Sequence, residues 1–124
     1  MNKLLKSALA SAGALLIMGS VPSVHAAKGD QGVDWSIYQG SQGKFGYGHD
    51  KFAIAQIGGY HGYIYDQSTY ATQVQYAIAQ GKRAHTYVWW QDITNYGTAD
   101  AVLDYFLPKV QTPKGSIVAL DVES

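Results

Sequence analysis

Two acids, Asp121 and Glu123, stand one residue apart at the end of the apolar run 117–120. If this run is a β-strand, both side chains project from the same face, with Cα atoms roughly 6.5 to 7 Å apart. Two carboxyl groups at that spacing can flank one scissile bond. When two acids are held close together, the pKa of one rises while the other stays ionised. Such a pair supplies the proton donor and the anion that glycoside hydrolysis needs.

The simplest alternative is that the two acids lie in solvent at a frayed strand end, as is usual for an arbitrary Asp-x-Glu pair. Their position directly after a buried strand favours catalysis, because α/β barrels collect active sites at the carboxyl ends of their strands. Asp34, within residues 32–36, is a further candidate at the end of an early strand. By itself, an aspartate before a turn is more often a cap or a turn residue.

Aromatic side chains are the candidate substrate-binding residues, because Tyr and Trp combine a flat apolar face with a polar tip. Trp89 and Trp90 are adjacent, so on a strand one faces the core and the other faces outward, and the pattern does not say which. Tyr87 on the same strand is another candidate. Of Tyr60, Tyr63 and Tyr65, in a glycine-punctuated loop after the second strand, we expect at least one to contact the ligand and take Tyr63 as the candidate.

Several other chemistries find no support in the sequence. The chain has no cysteine, and His49, His61 and His85 are not spaced as zinc ligands. No Gly-x-Ser-x-Gly motif surrounds a serine that could serve as a nucleophile. We therefore expect neither a zinc site nor serine hydrolysis.

The elements that must position these residues alternate between strands and helices. The pattern predicts strands over 33–38, 52–57, 85–90 and 117–123, with Gly58 and Gly59 stopping the second strand. It predicts helices over 68–80 and about 98–110, with Pro108 in the last turn of the second helix. Strands separated by helical crossovers imply parallel pairing. The expected fold is an α/β barrel of the irregular TIM type, of which this chain carries about the first four strands.

Residues 1–26 have the features of a secretory signal peptide. Lys3 and Lys6 precede a short apolar run, and Val24-His25-Ala26 provides small residues at the cleavage positions. A membrane anchor is the alternative, but the run is shorter than the roughly 18 residues that span a bilayer. Cleavage after Ala26 would leave one domain, residues 27–124, with seven basic and nine acidic residues, which argues against a nucleic-acid partner.

Four blocks of the chain together resemble the lysozymes of glycoside hydrolase family 25. These are residues 32–36 (Gly-Val-Asp-Trp-Ser), 85–90, 107–113 and 119–123 (Ala-Leu-Asp-Val-Glu), and the resemblance covers most of 28–124. The blocks 85–90 and 107–113 are similar to family members made by lactobacilli and their phages.

The resemblance implies a secreted 1,4-β-N-acetylmuramidase on an irregular α/β barrel, acting on the glycan strands of peptidoglycan. Glu123 would be the general acid, and Asp121 would orient the substrate's own acetamido group in a retaining, substrate-assisted reaction. Asp34 would match the aspartate of the first strand. No cofactor, obligate protein partner or membrane contact after signal cleavage is implied. The competing hypothesis is a truncated, non-catalytic remnant that binds glycans through its Tyr and Trp residues.

Overall fold

The computed structural model describes residues 28–46 and 49–124, so the predicted signal peptide, residues 1–26, lies outside the described residues. In chain order the elements are β1 (Gly32–Trp35), a 3₁₀ helix (Ile37–Gln39), β2 (Phe52–His61), β3 (Ile64–Asp66), α1 (Tyr70–Ala79), β4 (Arg83–Gln91), α2 (Tyr96–Phe106), a second 3₁₀ helix (Leu107–Lys109) and β5 (Val118–Glu123). Within the described part, no helix is long and apolar enough to cross a bilayer.

The strands form one sheet in the order β1-β2-β4-β5, with β3 paired to β2. The pairs β1–β2, β2–β4 and β4–β5 are parallel, as the alternation of strands and helices predicts. The short strand β3 runs antiparallel to β2, on the edge of β2 opposite β4. The predicted α/β class is confirmed. The described residues form an open sheet, and its closure into a barrel stays a prediction.

Strand β4 separates the two faces of the sheet, because its residues alternate between half-buried and buried along its whole length. The buried members are Ala84, Thr86, Val88 and Trp90. The Thr86 hydroxyl lies 2.8 Å from the hydroxyl of Tyr70 on α1, so the helix covers this side. We call it the helix face. The opposite side, which carries the odd-numbered residues of β4, is the open face.

The hydrophobic core lies on the helix face. Trp35 of β1, Val74 and Ala77 of α1, and Val102 and Phe106 of α2 are each at most 2 % exposed. Burying each of the larger side chains among these contributes about 1.5 to 3 kcal/mol to the free energy of unfolding. Packing against this core therefore fixes the positions of β1, β2 and β4, and the other side of these strands forms the open face.

A chain of buried hydroxyl groups ties β4 to the segment before β5. Thr86 Oγ1 lies 2.8 Å from Tyr70 Oη and 2.9 Å from Thr112 Oγ1, and Ser116 Oγ donates to Thr112 Oγ1 at 2.7 Å. Tyr70 Oη also accepts from the backbone N–H of Gln111 at 2.9 Å. The start of β5 is thus held in place by bonds as well as by apolar packing.

The predicted end of the second strand was wrong. β2 continues through Gly58 and Gly59 to His61, because the glycines remove side chains that would collide with neighbours. A Cβ on Gly58 would meet the carbonyl oxygen of Tyr65, and one on Gly59 would meet Cβ of Trp89. The strand β3, which pairs with this glycine segment, was not predicted at all.

The other element boundaries differ from the predictions mainly at chain turns. β1 ends at Trp35 instead of residue 38, because Ser36 forms a capping box with Gln39 that begins a 3₁₀ helix. Helix α1 begins at Tyr70, and Thr69 precedes it without a side-chain capping bond. Helix α2 ends at Phe106, and Pro108 lies in the 3₁₀ helix that follows.

Candidate active site

The register of the sheet brings the sequence-predicted residues together on the open face. Partners in neighbouring parallel strands project from the same side, so each pair forms part of a row across the sheet. The relevant pairs are Asp34 with Ile54, Ile54 with His85, Tyr87 with Ala119, Trp89 with Asp121, and Gln91 with Glu123. The predicted acids, Tyr87 and Trp89 therefore share one face.

Asp121 and Glu123 lie on the same face of β5, close enough to form a hydrogen bond when one of them is protonated. That bond, followed by the negative charge of Asp121 and slight burial, raises the pKa of Glu123 above its usual value of 4.5. The raised pKa favours Glu123 as the proton donor of the pair. Glu123 is exposed to solvent while Asp121 is half-buried, so the proton-bearing group is the accessible one.

Asp34 and Asp121 line the same cleft, which has a volume of about 270 Å³. The cleft is lined by Asp34, Ile54, Tyr87, Ala119, Leu120 and Asp121. Two strands, β2 and β4, separate Asp34 from Asp121 in the sheet. Asp34 therefore faces the acid pair across an opening of sugar size and does not join the pair directly.

The position of Asp34 depends on its buried neighbour and on the loop after β1. Trp35 is 1 % exposed and donates from Nε1 to the carbonyl of Lys44 at 2.9 Å. Gln73 of α1 donates from Nε2 to the carbonyls of Ser36 and Gly40 at 2.7 and 2.8 Å. These hydrogen bonds hold the loop after β1 in place. The backbone that carries the exposed Asp34 carboxylate is therefore fixed.

Tyr87 lies between the two sides of the cleft. Burial, followed by the charges of Asp34 and Asp121, raises the pKa of Tyr87 to about 12. Its hydroxyl consequently stays protonated over the whole physiological range. Since the acids around it are hydrogen-bond acceptors when ionised, Tyr87 contributes a donor in the middle of the cleft.

Tyr65, one of three tyrosines of which the sequence predicts at least one in contact with ligand, also reaches the open face. Tyr65 of β3 and Trp89 of β4 are both register partners of Gly59 in β2. Because Gly59 has no side chain, none separates Tyr65 from Trp89 on this face. Gln56 donates to the Tyr65 hydroxyl at 3.2 Å, and Gln67 donates to Gln56 at 2.9 Å. The Tyr65 oxygen thus accepts a bond and its own proton remains available. β3 has only three residues, too few for a periodic signal.

The four predicted aromatic residues separate into two groups. Tyr87 and Trp89 lie on the open face, whereas Trp90 is 9 % exposed and lies on the helix face, where it lines a second cavity of about 540 Å³. Trp90 is therefore not brought together with the acids. Tyr63 is 64 % exposed in the turn between β2 and β3, with its ring centroid 6.2 Å from that of Tyr65.

His85 lies on the open face nearer the start of β4. Its Nδ1 accepts a hydrogen bond from the backbone N–H of Ile117 at 3.0 Å, which requires the neutral ring. Burial, followed by the charge of Arg83, lowers the pKa of His85 below 6.5. Among residues 28–46 and 49–124, no three His, Asp or Glu side chains are grouped as metal ligands would be.

Comparison with known proteins gives one match. The model of the family described as Glycosyl hydrolases family 25 matches residues 33–124, which is more than half of the chain and contains every acid of the cleft. Neither the curated proteins nor the solved structures include a match.

Proposed function

Because the chain belongs to glycosyl hydrolase family 25, we propose that it hydrolyses peptidoglycan at the β-1,4 bond between N-acetylmuramic acid and N-acetylglucosamine. The observation that carries this proposal is the pair of acids Asp121 and Glu123 on one face of β5, beside a cleft that Asp121 lines together with Asp34. The proposed product keeps its anomeric configuration. The irregular barrel fold expected of the family is part of the same proposal.

In the proposed reaction, Glu123 protonates the oxygen of the leaving sugar, since it holds a proton at a pH where an ordinary glutamate has lost it. Asp121 orients the substrate's acetamido group, whose carbonyl oxygen attacks the anomeric carbon as the glycosidic bond breaks. Positive charge develops on the sugar, and the Asp121 carboxylate stabilises it. Water then opens the cyclic intermediate, with the Glu123 carboxylate taking its proton.

Asp34 and Tyr87 have supporting roles in this proposal. Tyr87 donates a hydrogen bond to a sugar oxygen, because its pKa of about 12 keeps the hydroxyl protonated. Asp34 accepts a bond from a sugar hydroxyl on the other side of the cleft. Trp89 provides an apolar face for the sugar ring above Asp121.

The test is hydrolysis of purified peptidoglycan by the full chain and by Glu123→Gln, measured as reducing ends released. We expect Glu123→Gln to lose at least about a hundredfold in rate, the usual contribution of a general acid. Asp100→Asn is the matched control, because Asp100 is an exposed acid on α2. Equal rates in the parent and Glu123→Gln would refute the catalytic assignment.

A second candidate function is glycan binding without cleavage. It is favoured by the exposure of Asp34 and Glu123 and by the aromatic side chains of Tyr87 and Trp89, which lie half-buried on the same face. This function predicts that the chain sediments with insoluble peptidoglycan but releases no reducing ends. Hydrolysis that depends on Glu123 would exclude it.

Export to the cell wall is also part of the proposal, with cleavage after Ala26 and residues 27–124 as the secreted domain. It is supported by the charged, apolar and small-residue parts of residues 1–26. N-terminal sequencing of the protein from culture medium should give Ala27 as the first residue.

A further inference from the structure

Three side chains at the rim of the open face are bonded into one group. The indole Nε1 of Trp89 donates to Gln91 Oε1 at 3.0 Å. Nδ1 of His61 lies 2.6 Å from the same oxygen. The group joins the ends of β2 and β4, and Gln91 and Trp89 are the register partners of Glu123 and Asp121.

The chemistry of the indole fixes every proton in this group. An indole N–H can only donate, so the Gln91 atom that faces it must be the carbonyl oxygen and not the amide nitrogen. The same oxygen then accepts from His61, whose Nδ1 must carry a proton. The Gln91 carboxamide is therefore held in one orientation by two donors.

The amide nitrogen of Gln91 is left with free hydrogens. Within residues 28–46 and 49–124, no hydrogen bond involves Gln91 Nε2. The side chain is half-buried and its strand is packed on both sides, so this donor is placed by the fold. Its neighbours in the site, Asp121 and Glu123, lie on the adjacent strand. An amide donor without a protein partner can bind a ligand that carries an acceptor oxygen.

We propose that Gln91 recognises the N-acetyl group of the substrate by donating a hydrogen bond from Nε2 to the acetamido carbonyl oxygen. This inference rests on the proposed function. An amide carbonyl is a good neutral acceptor, and Gln91 is bonded to Trp89, the residue proposed to carry the sugar ring. Trp89 and His61 act as positioning residues, since each holds the carboxamide through its oxygen.

The deciding variant is Gln91→Glu, because a glutamate keeps an acceptor oxygen for Trp89 and His61 and removes the amide donor. Gln75→Glu is the matched control, since Gln75 is exposed on α1 and the charge change is the same. The probes are a tetramer of β-1,4-linked N-acetylglucosamine and the same tetramer with free amines. Binding to the full chain is measured by isothermal titration calorimetry.

We expect Gln91→Glu to bind the N-acetylated tetramer about tenfold more weakly than the parent, the usual effect of losing one such bond. Its binding of the free-amine tetramer should not weaken, because a carboxylate attracts an ammonium group. Gln75→Glu should bind as the parent does. Equal loss for both tetramers, or no loss for either, would overturn the inference.

A second variant guards against a folding defect in Gln91→Glu. His61→Ala removes one of the two bonds that hold the carboxamide, and His61 is exposed, so the fold should survive. It should also weaken binding of the N-acetylated tetramer, by less than Gln91→Glu. Unchanged binding in His61→Ala, with Gln91→Glu unfolded, would count against the inference.

Failure of the proposed function looks different from failure of this inference. A parent chain that neither hydrolyses peptidoglycan nor binds the N-acetylated tetramer would overturn both. A parent that hydrolyses peptidoglycan, together with a folded Gln91→Glu that binds the tetramer equally well, would overturn only the role of Gln91.

Discussion

The two faces of β4 are built for different tasks, although their residues alternate along one strand. On the helix face, Thr86, Val88 and Trp90 are buried and the Thr86 hydroxyl is bonded to two other hydroxyls. On the open face, Tyr87 and Trp89 are half-buried beside acids of β1 and β5. Substitutions at adjacent residues of this strand should therefore change different properties. Those on the helix face should lower stability, and those on the open face should weaken glycan binding.

The two faces also differ in whether their polar groups have hydrogen-bond partners within the protein. On the helix face the hydroxyl chain from Tyr70 to Ser116 is closed within the protein. On the open face, Tyr87 and Gln91 keep donors for which no partner is found among the described residues, and the pKa of Glu123 is raised. Closed networks stabilise a fold, whereas open donors and acids are available to a ligand.

The adjacent tryptophans give the sharpest test of this comparison. Trp90→Ala should lower the free energy of unfolding by about 3 to 5 kcal/mol, because it leaves a cavity in packed structure. Trp89→Ala should cost clearly less stability but weaken binding of an N-acetylglucosamine tetramer on the order of tenfold, as loss of an aromatic anchor does. Urea unfolding and calorimetric titration measure the two effects.

The comparison would fail if the two substitutions changed stability and binding in the same ratio. Trp90→Phe serves as the control on the helix face. It keeps an aromatic ring in the core and should lose much less stability than Trp90→Ala, without an effect on binding.

A smaller effect is expected from the hydroxyl chain. Thr86→Val keeps the shape of the side chain but leaves the buried hydroxyls of Tyr70 and Thr112 with one partner fewer. Its free energy of unfolding should fall by about 1 to 3 kcal/mol. Thr86→Ser restores the hydroxyl and should recover most of that loss. If Thr86→Val were as stable as the parent, the hydroxyl chain would not contribute to holding β5.

Most of the fold can be predicted from local patterns of apolar residues in the sequence. The continuous apolar runs predict β2, β4 and β5, and helical spacing predicts α1 and α2, because both signals extend over at least six residues. The glycines in β2 misled the prediction, since Gly58 and Gly59 usually stop a strand but here allow close contacts with Tyr65 and Trp89. Such contacts depend on neighbours distant in sequence.

The site was predictable where it depends on strand alternation. The acid pair of β5 and its shared face with Asp34 require only period-two geometry and parallel order. The contribution of Gln91 and the bond that holds Tyr65 could not be predicted, since they arise from pairing between β2, β3 and β4 and from side-chain bonds. Trp90 and Trp89 were indistinguishable in sequence because only the helices decide which face is buried.

The smallest expected effect is a change in two pKa values, and it tests how the open face is arranged. Asp121→Asn should lower the pKa of Glu123, because Asp121 supplies both the hydrogen bond and the charge that raise it. Between 4.5 and the raised value, the variant should therefore hold less protonated Glu123 than the parent. Carbon-detected NMR titration of the glutamate side chain measures this directly.

Asp34→Asn provides the complementary arm of the titration. Asp34 contributes to the raised pKa of Tyr87 but not to that of Glu123, so this variant should lower only the tyrosine value from about 12. Asp121→Asn should lower both values, since Asp121 acts on both groups. If Asp34→Asn moved the pKa of Glu123 as far as Asp121→Asn does, Asp34 would have to lie against the acid pair, and the cleft that separates them would be too narrow for a sugar.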